Sequence, residues 1–165
     1  VIKLLKDSGF PGMKVIQFAF DPREDSDYLP HNYPTNCVVY TGTHDNDTVL
    51  GWIKTAPKEA VKFAKEYCNL TKEEGYSWGM MRVAMSSVAD MSIVPIQDVI
   101  GLASEARINI PSTLGNNWKW RATEDQITTK LAARLRKLTV MTGRLNAAYA
   151  VSKAETKTET KTETK

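Results

Sequence analysis

The sequence predicts an α/β fold on parallel strands, on three observations. Its segments run strand, loop, strand, helices, strand, helix. Polar residues crowd where the second strand ends. The composition, 42% hydrophobic and 25% charged over 165 residues, is that of one ordinary soluble domain. Taken in order, residues 1–6 pattern as the last turns of a helix, closed by Gly9 and followed by Pro11. A helix that starts at the first residue without an N-cap, in a chain without an initiator Met, is expected to continue from something upstream. Residues 13–20, β-branched and aromatic, predict a buried strand, and a loop rich in Asp and Pro covers residues 21–34.

Residues 36–41 predict a second strand that runs straight into Gly42-Thr43-His44-Asp45-Asn46-Asp47-Thr48. A short helix is expected over 48–55 and another over 57–69, with Pro57 at its first position and Ala60, Phe63, Ala64 and Tyr67 on one face. Thr71-Lys72-Glu73-Glu74 has the form of a capping box, ahead of a helix over 77–89. Residues 92–97 predict a third buried strand, interrupted by Pro95. A polar loop over 105–121 precedes a second capping box, Thr123-Glu124-Asp125-Gln126. That box opens the most regular helix, in which Ile127, Leu131, Leu135 and Leu138 share a face. The terminal Glu-Thr-Lys-Thr repeat has nothing apolar to bury and is expected to be a disordered tail, residues 151–165, without assigned function.

Several function classes are disfavoured at this level. No apolar run approaches the ~20 residues that cross a bilayer. The net charge is +3, and the chain ahead of Lys153 carries a net +2 with no dense basic stripe, so nucleic acid is a poor partner. Two cysteines, Cys37 and Cys68, predict neither a disulfide framework nor a metal site and favour a reducing compartment. No signal peptide is legible at the start.

His44-Asp45-Asn46-Asp47 is the densest group of chemistry-bearing side chains, and it lies at the C-terminal end of a predicted parallel strand, where α/β sheets and barrels keep their active sites. One of its carboxylates could instead N-cap the helix from Thr48, although capping accounts for one residue and not the string. A divalent-metal hydrolase reading has little support, because His31 is the only other histidine. Tyr28, Tyr33, Tyr40, Trp52, Trp118 and Trp120 flank the two long loops. Rings beside carboxylates and amides suit a sugar, with Tyr40 and Trp52 better explained as core. In Asn116-Asn117-Trp118-Lys119-Trp120-Arg121 an extended backbone would put both Trp side chains on one face.

Residues 10–20, then Pro30-His31-Asn32-Tyr33, residues 38–48 with Gly51-Trp52, Ala106-Arg107-Ile108-Asn109-Ile110-Pro111 and residues 115–121 resemble, in order, the C-terminal part of the 4-α-glucanotransferase family of amylomaltases and disproportionating enzymes. The resemblance implies a (β/α)8 TIM barrel that transfers α-1,4-glucan segments with retention and without a cofactor or metal. A barrel needs ~250 residues. Residues 1–150 would then be its C-terminal portion, about strands six to eight, with the N-terminal part of the same barrel as the missing partner. The family's transition-state aspartate falls on Asp45. His44, Asn109, Trp118, Trp120 and Arg121 would bind malto-oligosaccharide or starch-like glucan, and the nucleophile and acid/base fall on no residue here. The expected location is cytoplasmic, or plastid for a plant or alga. The alternative from another class is a carbohydrate-binding remnant without chemistry.

Overall fold

Three short strands, β1 (Gly12–Val15), β2 (Cys37–Tyr40) and β3 (Met91–Ile93), pair in parallel in the order β1-β2-β3 in the computed structural model, which describes residues 2–146. The Glu-Thr-Lys-Thr tail and Val1 lie outside the described residues. Gly12 registers with Cys37 and Val15 with Tyr40, while Val38 registers with Met91 and Tyr40 with Ile93. Because all three strands run the same way, the segments that follow them gather at one end of the sheet.

The crossovers are helical. Helix α1 (Ile2–Ser8) stops at Gly9, whose φ of 71° is the left-handed conformation a C-terminal cap needs. Between β2 and β3 come α2 (Val49–Thr55), α3 (Lys58–Tyr67) and α4 (Tyr76–Ser86). After β3 come α5 (Ile96–Ile100) and, beyond a long irregular segment, α6 (Thr129–Met141). On β2 the pleat sends Cys37 and Val39 to the helix-covered face. There they join Ile16, Phe20, Val49, Ala64 and Met80 in the main core, with Trp52, Ala60, Phe63 and Tyr67 packed against it. A second cluster, Trp78, Met81, Met85, Val99 and Leu138, fixes α4, α5 and α6 to each other.

Four expectations change. The first strand ends at Val15, because the chain curls into a 3₁₀ turn over Ile16–Phe18 that buries Ile16 and Gln17 and leaves Phe18 half exposed. Composition had signalled burial, and a turn buries side chains as well as a strand does. The third strand is Met91–Ile93 and is not buried. Met91 is 54% and Ile93 42% exposed, while Gln97 belongs to α5, for which Pro95 is the N-cap. The first capping box is half formed: Thr71 Oγ1 accepts from the Glu74 amide, but the Glu74 carboxylate turns to Arg82. The second box forms fully on a 3₁₀ turn, Glu124–Gln126, and α6 begins only after Thr128, whose hydroxyl accepts from Leu131 N. Ile127 consequently stays out of the helix and exposed.

The other face of the sheet is uncovered. Met13 and Ile93 on the two outer strands are exposed apolar residues, and Ile96 lines a cavity together with them. The outer edges of β1 and β3 have no strand neighbour among the described residues. Unpaired parallel edges and bare apolar side chains invite association. The chain alone is expected to bind a hydrophobic dye and to scatter light as it self-associates. A monodisperse monomer with one sharp thermal transition would contradict that.

Candidate functional site

The loop between β2 and α2 carries His44, Asp45, Asn46 and Asp47, and its own polar groups hold its shape. Asn46 Oδ1 accepts from the Thr43 amide at 2.9 Å and from the Thr43 hydroxyl at 2.8 Å. Asp47 Oδ1 accepts from Thr48 N at 2.8 Å, and its Oδ2 accepts from Ser104 Oγ at 2.7 Å. The buried amide of Gln17, from the turn after β1, donates to the Asp47 carbonyl at 2.9 Å. The Asp47 carboxylate also occupies the space a side chain at Gly51 would need. Asp47 is therefore tied up structurally.

None of the loop carboxylates is the N-cap of α2. That role belongs to Thr48, whose hydroxyl accepts from Gly51 N at 3.1 Å. The capping explanation for Asp45 accordingly drops out: its carboxylate bonds no amide of the helix and is about half exposed, like the His44 ring.

Asp45 is instead met from across the chain. Asn109 Nδ2 donates to Asp45 Oδ1 at 2.6 Å, and His44 Nε2 lies 3.4 Å from the same oxygen. Arg107 braces both partners, donating Nη2 to the Asp45 carbonyl at 2.7 Å and Nε to the Asn109 carbonyl at 2.9 Å. The Trp118 ring packs on His44 with centroids 5.2 Å apart and planes at 40°. Among the described residues no hydrogen bond occupies Asp45 Oδ2, so one carboxylate oxygen is oriented and unused. Below the loop lies a cavity of about 460 Å³, lined by Met13, Tyr40 and Ile93 from the uncovered sheet face and by Thr43, His44 and Arg107 at its rim. An apolar floor with a polar, partly charged rim is the chemistry of a sugar ring's two sides.

Of the six residues singled out from the sequence, the fold thus brings together His44, Asp45, Asn109 and Trp118. Trp118 has a φ of 64°, so the 116–121 segment is not extended and the expected common face for Trp118 and Trp120 does not form. Arg121 turns back, donating to the carbonyls of Trp118 and Trp120 at 2.9 and 2.7 Å. Of the flanking rings, Trp52 is part of the core packing, as expected, whereas Tyr40 is not core: it points to the open sheet face and lines the cavity. Both cysteines are buried, and burial pushes the Cys68 thiol up to about 12, which leaves no ready thiolate there. Among the described residues no three His, Cys, Asp or Glu side chains form a group able to hold a metal ion.

Sequence reading missed four residues that shape the site: Gln17, Ser104, Arg107 and Asp98. Asp98 is wholly buried, its Oδ2 accepting from the Thr41 hydroxyl at 2.7 Å and its Oδ1 from Val49 N at 2.8 Å. Burial pushes its carboxyl up to about 6, against the pull of those two hydrogen bonds and with a smaller push from Asp47. Because the folded value lies above the unfolded one, this group favours the fold most below about pH 4. Its contribution is lost as pH rises through about 6. The signal that could have found it is an Asp set between the aliphatic residues Val94, Ile96, Val99 and Ile100.

The model of the family described as 4-alpha-glucanotransferase matches residues 1–128. A 4-alpha-glucanotransferase of Clostridium butyricum is 54% identical over 144 residues, which are 87% of this chain and 30% of that protein. One of Thermus thermophilus is 44% identical over 152 residues, again 87% and 30% of the two chains, and a chloroplastic/amyloplastic one of Arabidopsis thaliana is 44% identical, covering 88% and 26%. A solved structure, an amylomaltase from Streptococcus agalactiae in complex with acarbose, superposes with a TM-score of 0.84 at 34% identity. It covers 88% of this chain and 30% of that one. The chain spans about 30% of the length of the first relatives it matches.

Proposed function

This chain belongs to the 4-α-glucanotransferase family, and from that premise we propose that it supplies the Asp45 side of a glucan-transferring active site in a (β/α)8 barrel. Its strands would be about the sixth to eighth, with residues 1–150 as the barrel portion and 151–165 as a tail. The reaction is retaining transfer of an α-1,4-glucan segment from a malto-oligosaccharide donor to glucose or another glucan. The observation that carries the reading is the Asp45 carboxylate at the end of a parallel strand, held on one oxygen by Asn109 and, among the described residues, free on the other.

A retaining transfer passes twice through an oxocarbenium-like state, with a covalent glycosyl-enzyme between. The nucleophile and the acid/base belong to the rest of the barrel. Asp45 would accept hydrogen bonds from the sugar hydroxyls through its open Oδ2, and as positive charge develops on the ring its negative charge binds that state better than the ground state. Asn109 and Arg107 keep the carboxylate and its backbone from relaxing, so the stabilisation needs little reorganisation. His44 is placed to donate to a neighbouring hydroxyl. Trp118 offers a ring face to a sugar, and Trp120 and Arg121 would extend the glucan path. No cofactor enters this chemistry. The location that fits is cytoplasmic, or plastid as for the plant relatives.

The test is disproportionation of maltotriose by the complete enzyme, this segment joined to the rest of its barrel. Glucose and longer maltodextrins are expected, at the same rate with or without a chelator. Glucan binding without new chain lengths would favour a carbohydrate-binding remnant, and loss of turnover with chelator would favour a divalent-metal hydrolase.

A further inference from the structure

The loop that carries Asp45 is closed from below by one side chain. Thr41, the residue after β2, and Val49, the first residue of α2, are both fully buried and mark the two ends of the loop. The Thr41 hydroxyl and the Val49 amide meet on the two oxygens of Asp98, at 2.7 and 2.8 Å. A carboxylate suits this task because it presents two acceptors in one plane, and the Val49 amide is a donor that a helix start leaves without an intrahelical partner. Asp98 sits on α5, and α5 is tied onward by Gln97 Nε2, which donates to the Ala106 carbonyl at 3.2 Å. Three residues beyond Ala106 stands Asn109, which holds Asp45 from the other side. One stretch of chain thus grips the loop at its root and at its tip.

We infer that Asp98 is a positioning residue for Asp45: by bridging Thr41 and Val49 it fixes the loop root, so that transfer depends on it although it touches no glucan. The inference rests on the reading of Asp45 above. The raised carboxyl of Asp98 agrees with it, since a group whose ionisation disfavours folding at neutral pH stands where it holds the loop.

The test uses the complete enzyme and four variants, Asp98→Ala, Asp98→Asn, Thr41→Val and Asp45→Asn, with kcat and KM for maltotriose. Misplacing a reacting group by about 1 Å costs on the order of 10²-fold, so Asp98→Ala is expected to lose roughly 10²-fold in kcat with KM changed less than about threefold. Asp98→Asn can keep both bonds if the Thr41 hydroxyl reverses its role, and is expected to recover most of that loss. Thr41→Val keeps the side-chain shape and removes one bond, so it is expected to lose about tenfold, and it carries the test if Asp98→Ala does not fold. The deciding readout is the double variant. If Asp98 acts through Asp45, Asp98→Ala or Thr41→Val costs little more in an Asp45→Asn background. Full multiplication of the two losses, or an unchanged kcat in both Asp98→Ala and Thr41→Val, overturns the inference and leaves the Asp45 reading standing. Undiminished transfer by Asp45→Asn alone overturns the Asp45 reading and this inference with it.

Discussion

The 165-residue chain alone is expected to release no measurable glucose from maltotriose. In the family picture the covalent step needs an aspartate nucleophile and a glutamate acid/base, and the resemblance assigns neither role to a residue of this chain. The Asp45 carboxylate is met by Asn109 and His44, while Arg107 holds its backbone carbonyl. Retaining transfer needs two carboxyl groups about 5–5.5 Å apart on either side of the scissile bond, and catalysis is grossly non-additive among its parts. An electrostatic group without a nucleophile has no intermediate to stabilise. The check is chromatography of maltotriose incubated with the pure chain. Turnover near that of a full-length relative would show that the catalytic groups have been misplaced.

The largest single-residue effect is expected for Asp45→Asn in the complete enzyme. The amide is nearly isosteric, and α2 is capped by Thr48, so the substitution leaves the helix start untouched. It removes the negative charge and turns one acceptor into a donor facing Asn109 or the sugar. Loss of one transition-state electrostatic contact typically costs on the order of 10²–10³ in kcat, about 3–4 kcal/mol. Asp47→Asn is the control, since both Asp47 oxygens already accept from Thr48 N and Ser104. A far smaller loss is expected there, with a lower melting temperature because the Ser104 or Thr48 bond weakens. Equal and mild losses in the two variants, each tracking unfolding, would remove Asp45 from the machinery.

What the sequence made legible follows from distance along the chain. The strand ending at Tyr40, the helix over Val49–Thr55 and the apolar face of Lys58–Tyr67 were readable because local periodicity encodes them. Residues 13–20 and 92–97 pattern as longer strands than the fold contains. Apolar composition reports burial at 16–20 but not at 92–96, and in both places the chain leaves the sheet early, which brings Gln17 and Asp98 to the loop after β2. Trp118 was found as a residue but not as a conformation, since nothing in its neighbours announces a left-handed φ. In the site, His44 and Asp45 stood out because they are adjacent in one string. Arg107 reaches Asp45 across 62 positions and Asn109 across 64. Asp98 reaches Thr41 across 57. Contacts at that range have no signature in a single sequence, and Asn109 is legible only through the family motif that contains it.

The proposed role of Asp45 is to recognise charge developing on a sugar ring and not the sugar itself. It is tested most directly by binding measurements on Asp45→Asn in the complete enzyme, using calorimetry with maltotriose and with a cationic, half-chair mimic of the glucosyl transition state. The variant is expected to bind maltotriose within about threefold of the parent while losing on the order of 10²-fold or more in affinity for the mimic. Equal weakening of both ligands, or of neither, would contradict it.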